Sequence, residues 1–169
     1  QGLLHCPKNI FEIIEYIKLN IYPVKLRFGI GIGDIYTDIN RELALGADGP
    51  AFYHARQMID QIKLLEKGKM TGSVNIMLYE DNRIHKQAIS LINCTLQLCS
   101  FIESTWTQKQ RDLIKKIILE KKNQVEAAED LKITQSSVQR RLKAAGYYDY
   151  KNGIYTVTKL LDEIWGRYN

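Results

Sequence analysis

The sequence predicts an α+β protein with two unlike parts, a mixed α/β part over residues 1–104 and an all-helical part over residues 105–169. In the first part, apolar residues alternate with polar or small ones in two short segments, as in half-buried strands. In the second part they recur at helical spacing, with helix-capping residues between the segments. The charge divides at the same place. Of 24 Lys and Arg and 19 Asp and Glu, residues 1–105 contain 11 of each, and the remaining 13 cations and 8 anions lie in residues 106–169.

The composition is that of a folded soluble protein, with 45% hydrophobic and 25% charged residues. No segment approaches the roughly 18 consecutive apolar residues of a membrane span, and residues 1–10 lack the basic leader and apolar core of a signal peptide. The three cysteines form no CxxC pair and have no companion histidine cluster, so neither a disulfide framework nor a zinc site is expected. We therefore expect a cytoplasmic protein that binds no metal, no cofactor and no membrane.

The first part is predicted to contain three helices and two strands. The helices cover 11–19, 50–67 and 83–103, and the strands cover 24–33 and 73–79. Sheets normally contain more than two strands. The sequence therefore predicts that further strands precede Gln1 or are supplied by another chain.

Three glycines alternate with isoleucines at Gly29, Gly31 and Gly33. They match neither a P-loop, which needs a following Lys-Ser/Thr, nor the GxGxxG turn of a dinucleotide-binding site. Glycines inside a strand more often allow a neighbouring element or a ligand to approach the backbone closely. We expect that role here.

The second part is predicted to fold as a helix-turn-helix. Three helices run from about 107 to 121, over a short segment that begins after residue 123, and from 135 to 145, and only residues 132–134 separate the last two. The capping residues are Thr107 with Gln110, Asn123 with Glu126, and Thr134, and Gly146 is suited to end the third helix. Lys132 occupies a turn position at which glycine is commonest.

The outer face of the third predicted helix carries side chains that hydrogen-bond base edges and phosphates in a major groove. We expect Gln139 and Arg140 to contact bases. The cations expected to contact phosphates, or else to be simply solvated, are Lys143, Arg141, Lys132 and Lys109. The alternative interpretation is an ordinary three-helix bundle with a solvated, charged face. The candidate DNA-binding residues are Gln135, Ser136, Gln139, Arg140 and Lys143.

Two features follow the third helix. Asn152-Gly153, between aromatic and β-branched residues, indicates either a hairpin that forms a small wing or a plain loop. Residues 158–165 are predicted to form a last amphipathic helix. Its apolar edge either packs on the bundle or forms a dimer contact.

Two segments carry a family resemblance. Residues 27–35, Arg-Phe-Gly-Ile-Gly-Ile-Gly-Asp-Ile, and residues 46–56, Gly-Ala-Asp-Gly-Pro-Ala-Phe-Tyr-His-Ala-Arg, resemble the SatD family, small bacterial proteins with an N-terminal α/β domain and a C-terminal helix-turn-helix. The resemblance covers most of the chain in order. It implies that a Gly-Asp-Glu-Phe turn and two strands precede Gln1, so that the chain begins within a domain.

The same region is more distantly similar to class III nucleotide cyclases. That similarity implies a partial ferredoxin-like domain over residues 1–104, with Asp48 at the base-contacting Asp and Arg56 at the Arg of the cyclase pattern. Phe52 replaces the Asn that would hold the ribose, and the paired metal-binding aspartates are absent from the chain. Cyclase activity is therefore not expected. Asp48 and Arg56 are candidates for a vestigial nucleotide pocket, or Asp48 merely caps the helix that begins at Pro50.

The three histidines are scattered, and no Gly-x-Ser-x-Gly, His-Glu-x-x-His or paired-carboxylate motif occurs, so no catalytic residues and no enzyme activity are predicted. The sequence predicts a DNA-binding transcriptional regulator that acts as a homodimer, with the first part used for dimerisation or signal sensing. The alternative is a protein-interaction module whose nucleotide-binding domain is degenerate and non-catalytic.

Overall fold

A computed structural model describes residues 1–38, 48–68 and 73–166, so residues 46 and 47 of the family segment lie outside the described residues. The described chain is α+β, as predicted. Short 3-10 turns, Pro7–Asn9 and Arg83–His85, precede the first and third helices. In chain order the elements are α1 (Ile10–Ile21), β1 (Phe28–Gly31), α2 (Pro50–Lys67), β2 (Ile76–Tyr79), α3 (Lys86–Ser104), α4 (Gln108–Ile118), α5 (Gln124–Asp130), α6 (Gln135–Ala144) and α7 (Tyr147–Trp165).

The two strands form a parallel pair that is joined by α2. Phe28 lies opposite Ile76 and Gly31 opposite Tyr79. Both strands are shorter than the alternation predicted, because a residue counts as strand only where it finds a ladder partner. A ferredoxin-like sheet is not seen, since the described residues contain these two strands and no others.

The outer edge of β2 is closed by a side chain. The carboxamide of Asn93, on α3, accepts a hydrogen bond from the Leu78 N–H and donates one to the Leu78 carbonyl, both at 2.8 Å. It thereby takes the place of a neighbouring strand. Asn93 fixes α3 against the sheet, and the buried side chains of Ile76 and Leu78 pack on the same face.

The glycines of β1 allow α2 to approach the strand closely, which confirms the predicted role. A Cβ atom at Gly29 would overlap the carbonyl oxygen of Ala55, and one at Gly31 would overlap that of Ala51. The element that approaches is therefore the backbone of α2.

The helical part confirms α4, α5 and α6 but not the hairpin. Asn152 and Gly153 lie in the middle of α7, so both the wing and the loop predicted there are wrong. Tyr150, Ile154 and Val157 recur at helical spacing and are buried, and this burial outweighs the local turn preference of Asn-Gly. Gly153 is needed for packing, because a Cβ atom there would lie 2.7 Å from the Cys99 sulfur of α3.

The last helical segment packs on the body of the protein. Leu161 and Trp165 are buried, and the Trp165 indole N–H donates to the Glu80 carboxylate at 2.9 Å. One hydrophobic cluster extends from Phe11 on α1 through the sheet to α7. Within the helical part, the indole N–H of Trp106 donates to the Ala145 carbonyl at 2.8 Å.

Candidate nucleic-acid interface

Side-chain caps fix both helices of the predicted helix-turn-helix. The Asn123 side chain accepts from the N–H groups of Val125 and Glu126 at 2.9 and 3.1 Å, and the Glu126 carboxylate accepts from the Asn123 N–H at 2.8 Å. The Thr134 hydroxyl accepts from the Ser137 N–H at 3.2 Å. These bonds satisfy N–H groups that a helix start leaves free, so α5 and α6 begin at defined residues.

The turn between α5 and α6 consists of the four residues 131–134. Lys132 has a φ of 52°, in the left-handed region, and its N–H donates to the Glu129 carbonyl at 3.1 Å. The Ile133 N–H then donates to the Ala128 carbonyl at 3.0 Å. Buried Ala128 and Val138 pack beneath the turn in the core. Lys132 occupies the turn position at which glycine is commonest, and its left-handed conformation is the one that glycine adopts at no steric cost.

Replacing Lys132 with glycine should stabilise the fold. The left-handed conformation costs a side-chain-bearing residue about 1–2 kcal/mol, and part of this gain is offset by the greater freedom of glycine in the unfolded chain. We expect Lys132→Gly to raise the free energy of unfolding by up to about 1 kcal/mol in urea titrations followed by circular dichroism. Lys121→Gly is the matched control, because Lys121 has a φ of 53° and also lies in a connection between helices. If Lys132→Gly lowers the free energy of unfolding and Lys121→Gly does not, Lys132 does not have the left-handed conformation described for the turn.

The five predicted DNA-contacting residues lie on the surface of α6. Gln135, Ser136, Gln139, Arg140 and Lys143 are all exposed, whereas Val138 and Leu142 on the opposite face are buried. Ser136 lies 3.0 Å from the Thr134 hydroxyl. The other four side chains bond to no described residue. The structure therefore brings the predicted set together on one free face.

The cations of the helical part divide into paired and unpaired groups. The ammonium groups of Lys116 and Lys122 both contact the Asp130 carboxylate, which raises the pKa of each lysine and lowers the pKa of Asp130. Four cations at or after the turn form no ion pair with any described residue: Lys132, Arg140, Arg141 and Lys143. Lys109 and Lys115, on α4, are also unpaired, so four of the six unpaired cations in the described helical part lie on α6 or in the turn before it. Asp130, the last residue of α5, is the nearest acid along the chain before the turn, and its carboxylate is the one paired with Lys116 and Lys122.

A buried arginine fixes α4 to the first part. The Arg111 guanidinium donates to the Glu103 carbonyl at 2.7 Å and lies 4.2 Å from the centre of the Tyr22 ring. The Lys18 ammonium pairs with the Glu103 carboxylate next to it, and both side chains are about nine-tenths buried. The sequence carried no signal for this network, because charged residues on amphipathic helices usually face solvent.

The two candidate nucleotide-binding residues are Asp48, which precedes α2, and Arg56, which lies on α2. The Asp48 carboxylate accepts from the Gly49 N–H at 2.9 Å, and its hydrogen bond to the Tyr53 phenol raises the pKa of that phenol. Gly49 is the N-cap of α2 and Pro50 its first residue, so Asp48 lies just before the cap. The Arg56 guanidinium lies 3.7 Å from the Asp60 carboxylate and its side chain is largely exposed. No contact joins Asp48 to Arg56.

A cavity of about 890 Å³ lies beside β1, between the first seven residues and the start of α2. Neither Asp48 nor Arg56 lines it, and the described lining contains no lysine or arginine. Its acidic members are Asp34 and Glu80, and Glu80 is held by His85 at 2.7 Å. This lining is mainly apolar, and it offers a phosphate none of the lysine or arginine side chains that usually pair with one.

Reactive groups in the described part of the chain are dispersed. No three His, Cys, Asp or Glu residues there lie close enough to hold a metal ion. Burial raises the pKa of the Cys99 thiol to about 11, so this sulfur is protonated at neutral pH. Across residues 1–38, 48–68 and 73–166, no helix has both the length and the apolar character needed to cross a bilayer.

Comparison with known proteins gives one match. A family model described as the SatD family matches residues 1–161 of the chain. No curated protein and no solved structure matches.

Proposed function

The chain belongs to the SatD family, and we propose that it binds double-stranded DNA through α6 and acts as a transcriptional regulator. In this proposal α6 lies in the major groove, with Gln139 and Arg140 facing base edges and Lys143 facing phosphates. Lys132, in the turn, faces the backbone on one side of the groove. The protein acts by binding alone and carries out no reaction.

The observation that carries the proposal is the group of unpaired cations on and before α6. Four of the six cations between the start of α4 and the turn contact a carboxylate, and Lys109 and Lys115 do not. Arg140 and Lys143 are exposed and contact no carboxylate of the described residues, which leaves both charges available to an external anion. Phosphates supply the missing countercharge, and the released counterions favour binding.

The test is DNA binding by fluorescence anisotropy across a salt series, with a labelled mixed-sequence duplex as the probe. The double variant Arg140→Ala/Lys143→Ala should bind more weakly, and the slope of log affinity against log salt should fall by about 1, because the phosphate-neutralising charge of Lys143 is lost while the loss of Arg140 removes a base contact. The matched control is Arg56→Ala/Lys63→Ala. It removes the same charge from the surface of α2, where both side chains lie near Asp60.

Equal salt slopes in the two double variants would overturn the proposal, as would a wild-type affinity that does not change with salt. Lys132→Gly separates an effect on DNA binding from an effect on the stability of the fold. It should weaken DNA binding although it stabilises the fold, whereas Lys121→Gly should leave binding unchanged, since Lys121 lies 3.8 Å from Glu12 of α1 and away from the α5–α6 turn.

For residues 1–104 we propose a ferredoxin-type, cyclase-like domain. The βαβ unit formed by β1, α2 and β2 supports it, because such a unit is the building block of larger mixed sheets. We place the protein in the cytoplasm, where it would meet DNA.

A further inference from the structure

The solvent-facing side of α3 is apolar and uncharged. Leu91, Leu98 and Phe101 are 67%, 59% and 55% exposed, Cys94 is also exposed, and Ile84 in the preceding turn is 84% exposed. The charged residues of α3 lie near its ends, at positions 86 and 103. A helix face in contact with water normally carries charge, and single exposed apolar residues need no explanation, but a row of five, interrupted by the polar Gln87, does.

The row has the spacing of a coiled-coil seam. Ile84, Leu91 and Leu98 are seven residues apart, and Cys94 and Phe101 follow the last two by three. These are the a and d positions of a heptad, which meet a partner helix along one line. The opposite side of α3, with Ile89, Ile92 and Leu96 among its buried residues, already packs in the core of the chain. The helix is therefore apolar on two sides, and no described residue covers the outer one.

We propose that two copies of this chain pair through the outer face of α3, helix against helix across a two-fold axis. A seam with this spacing packs well against another of the same spacing, and a second copy supplies one. Within α3 the positions that flank the seam are uncharged: Ala88, Ser90, Thr95, Gln97, Ile102 and Ser104; Arg83, beside Ile84, is the one charged flank. With no charge at the flanks within α3 and a net charge of zero in residues 1–105, electrostatic repulsion between two copies is small.

The size of the seam sets the strength of the dimer. From residue 84 to residue 101 it extends about 26 Å along the helix, at about 1.5 Å per residue. One helix pair of this length buries less than the roughly 1,600 Å² of a standard interface. We therefore expect a reversible dimer whose population rises with protein concentration. The dimer rests on α3 alone and forms without DNA.

The test is sedimentation velocity over a wide range of concentrations, without nucleic acid. The wild-type chain should shift from monomer to dimer, and Leu98→Glu should raise the dissociation constant by about tenfold or more, because it places a charge among the apolar side chains of the interface. Leu64→Glu is the matched control, since Leu64 is 62% exposed on α2 and lies outside the seam. A wild-type chain that stays monomeric, or equal effects of the two variants, would overturn the proposal.

A second measurement locates the axis. Cys94 lies near the middle of the seam, so a two-fold axis through its centre brings the two Cys94 sulfurs together. Cys6 and Cys94 are exposed, whereas Cys99 is buried. In a Cys6→Ser variant, mild oxidation should therefore give a covalent dimer through Cys94, and adding Cys94→Ser should abolish it. A covalent dimer that persists without Cys94, or none with it, would contradict the proposed pairing.

Discussion

Changing Glu103 to glutamine should lower the free energy of unfolding by about 3–5 kcal/mol, because it leaves a buried lysine without its countercharge. The Glu103 carboxylate contacts the Lys18 ammonium, the Asn75 amide at 3.4 Å and the Arg111 guanidinium at 3.9 Å. The Lys18 and Glu103 side chains are 10% and 9% exposed. Glutamine keeps the shape of the side chain, so the loss reports the charge rather than a cavity.

Urea denaturation followed by circular dichroism measures this effect, and the exposed pair Arg27–Glu66 provides the control. Its guanidinium and carboxylate are 2.7 Å apart, but both side chains are about two-fifths exposed. Glu66→Gln should therefore cost less than about 1 kcal/mol. A Glu103→Gln loss no larger than that of Glu66→Gln would show that the network is not buried.

The Lys18–Glu103 network also explains how the helical part is held. Lys18 belongs to α1, Glu103 to α3 and Arg111 to α4, so three elements from both parts of the chain meet at one carboxylate. α3 is the common member. It packs on β2, it ends in this network, and its outer face carries the proposed dimer seam. A dimer through α3 would accordingly hold two copies of α6 in a fixed relation, which a two-fold DNA site requires.

The helices near α6 could be predicted because their signals are local. Thr134 caps α6, while Val138 and Leu142 give it a buried side within ten residues. Each of these contributions depends on neighbours along the chain. The bounds therefore follow from capping and periodicity, and the structure places α6 within one residue of its predicted end.

The strands and α7 could not be predicted as well, because their limits depend on distant residues. β1 ends where β2 ceases to face it, and a single sequence does not give the register. In α7, the turn preference of Asn152-Gly153 is local, but the contact of Gly153 with Cys99 is not. Burial against α3 decides the outcome. The burial of Glu103 also depends on tertiary contacts. Its partner Lys18 is 85 residues away along the chain, and its partner Arg111, 8 residues away, lies on the next helix.

The candidate site was predictable to a similar extent. Exposure of Gln139 and Arg140 followed from helical periodicity, but the absence of ion pairs around them did not, since pairing is a property of the tertiary structure. The cyclase resemblance named Asp48 and Arg56 as one pocket. The structure instead gives Arg56 a neighbour in Asp60, and the described lining of the nearby cavity contains no lysine or arginine.

Gly31→Ala should destabilise the protein by about 3 kcal/mol, because the added methyl group has no space between β1 and α2. Its Cβ atom would overlap the Ala51 carbonyl oxygen and lie 2.5 Å from the Ala55 nitrogen. Both are backbone atoms, so no side-chain rotation can relieve the overlap. Either α2 moves away from the sheet or β1 separates from β2, and each change opens the core around Met58 and Ile62.

The control is Gly68→Ala, at the end of the same helix. Its φ is −71°, and the nearest atoms to a new Cβ lie 3.5 and 3.7 Å away, at ordinary contact distance. This variant should change stability by no more than about 0.5 kcal/mol in the same urea titration. If the two substitutions prove equally tolerated, α2 does not lie against β1 as described, and the glycine run would need another explanation, such as a ligand at the backbone. Because the overlap involves only the backbones of β1 and α2, the size of the Gly31→Ala effect directly measures how closely α2 packs on the strand.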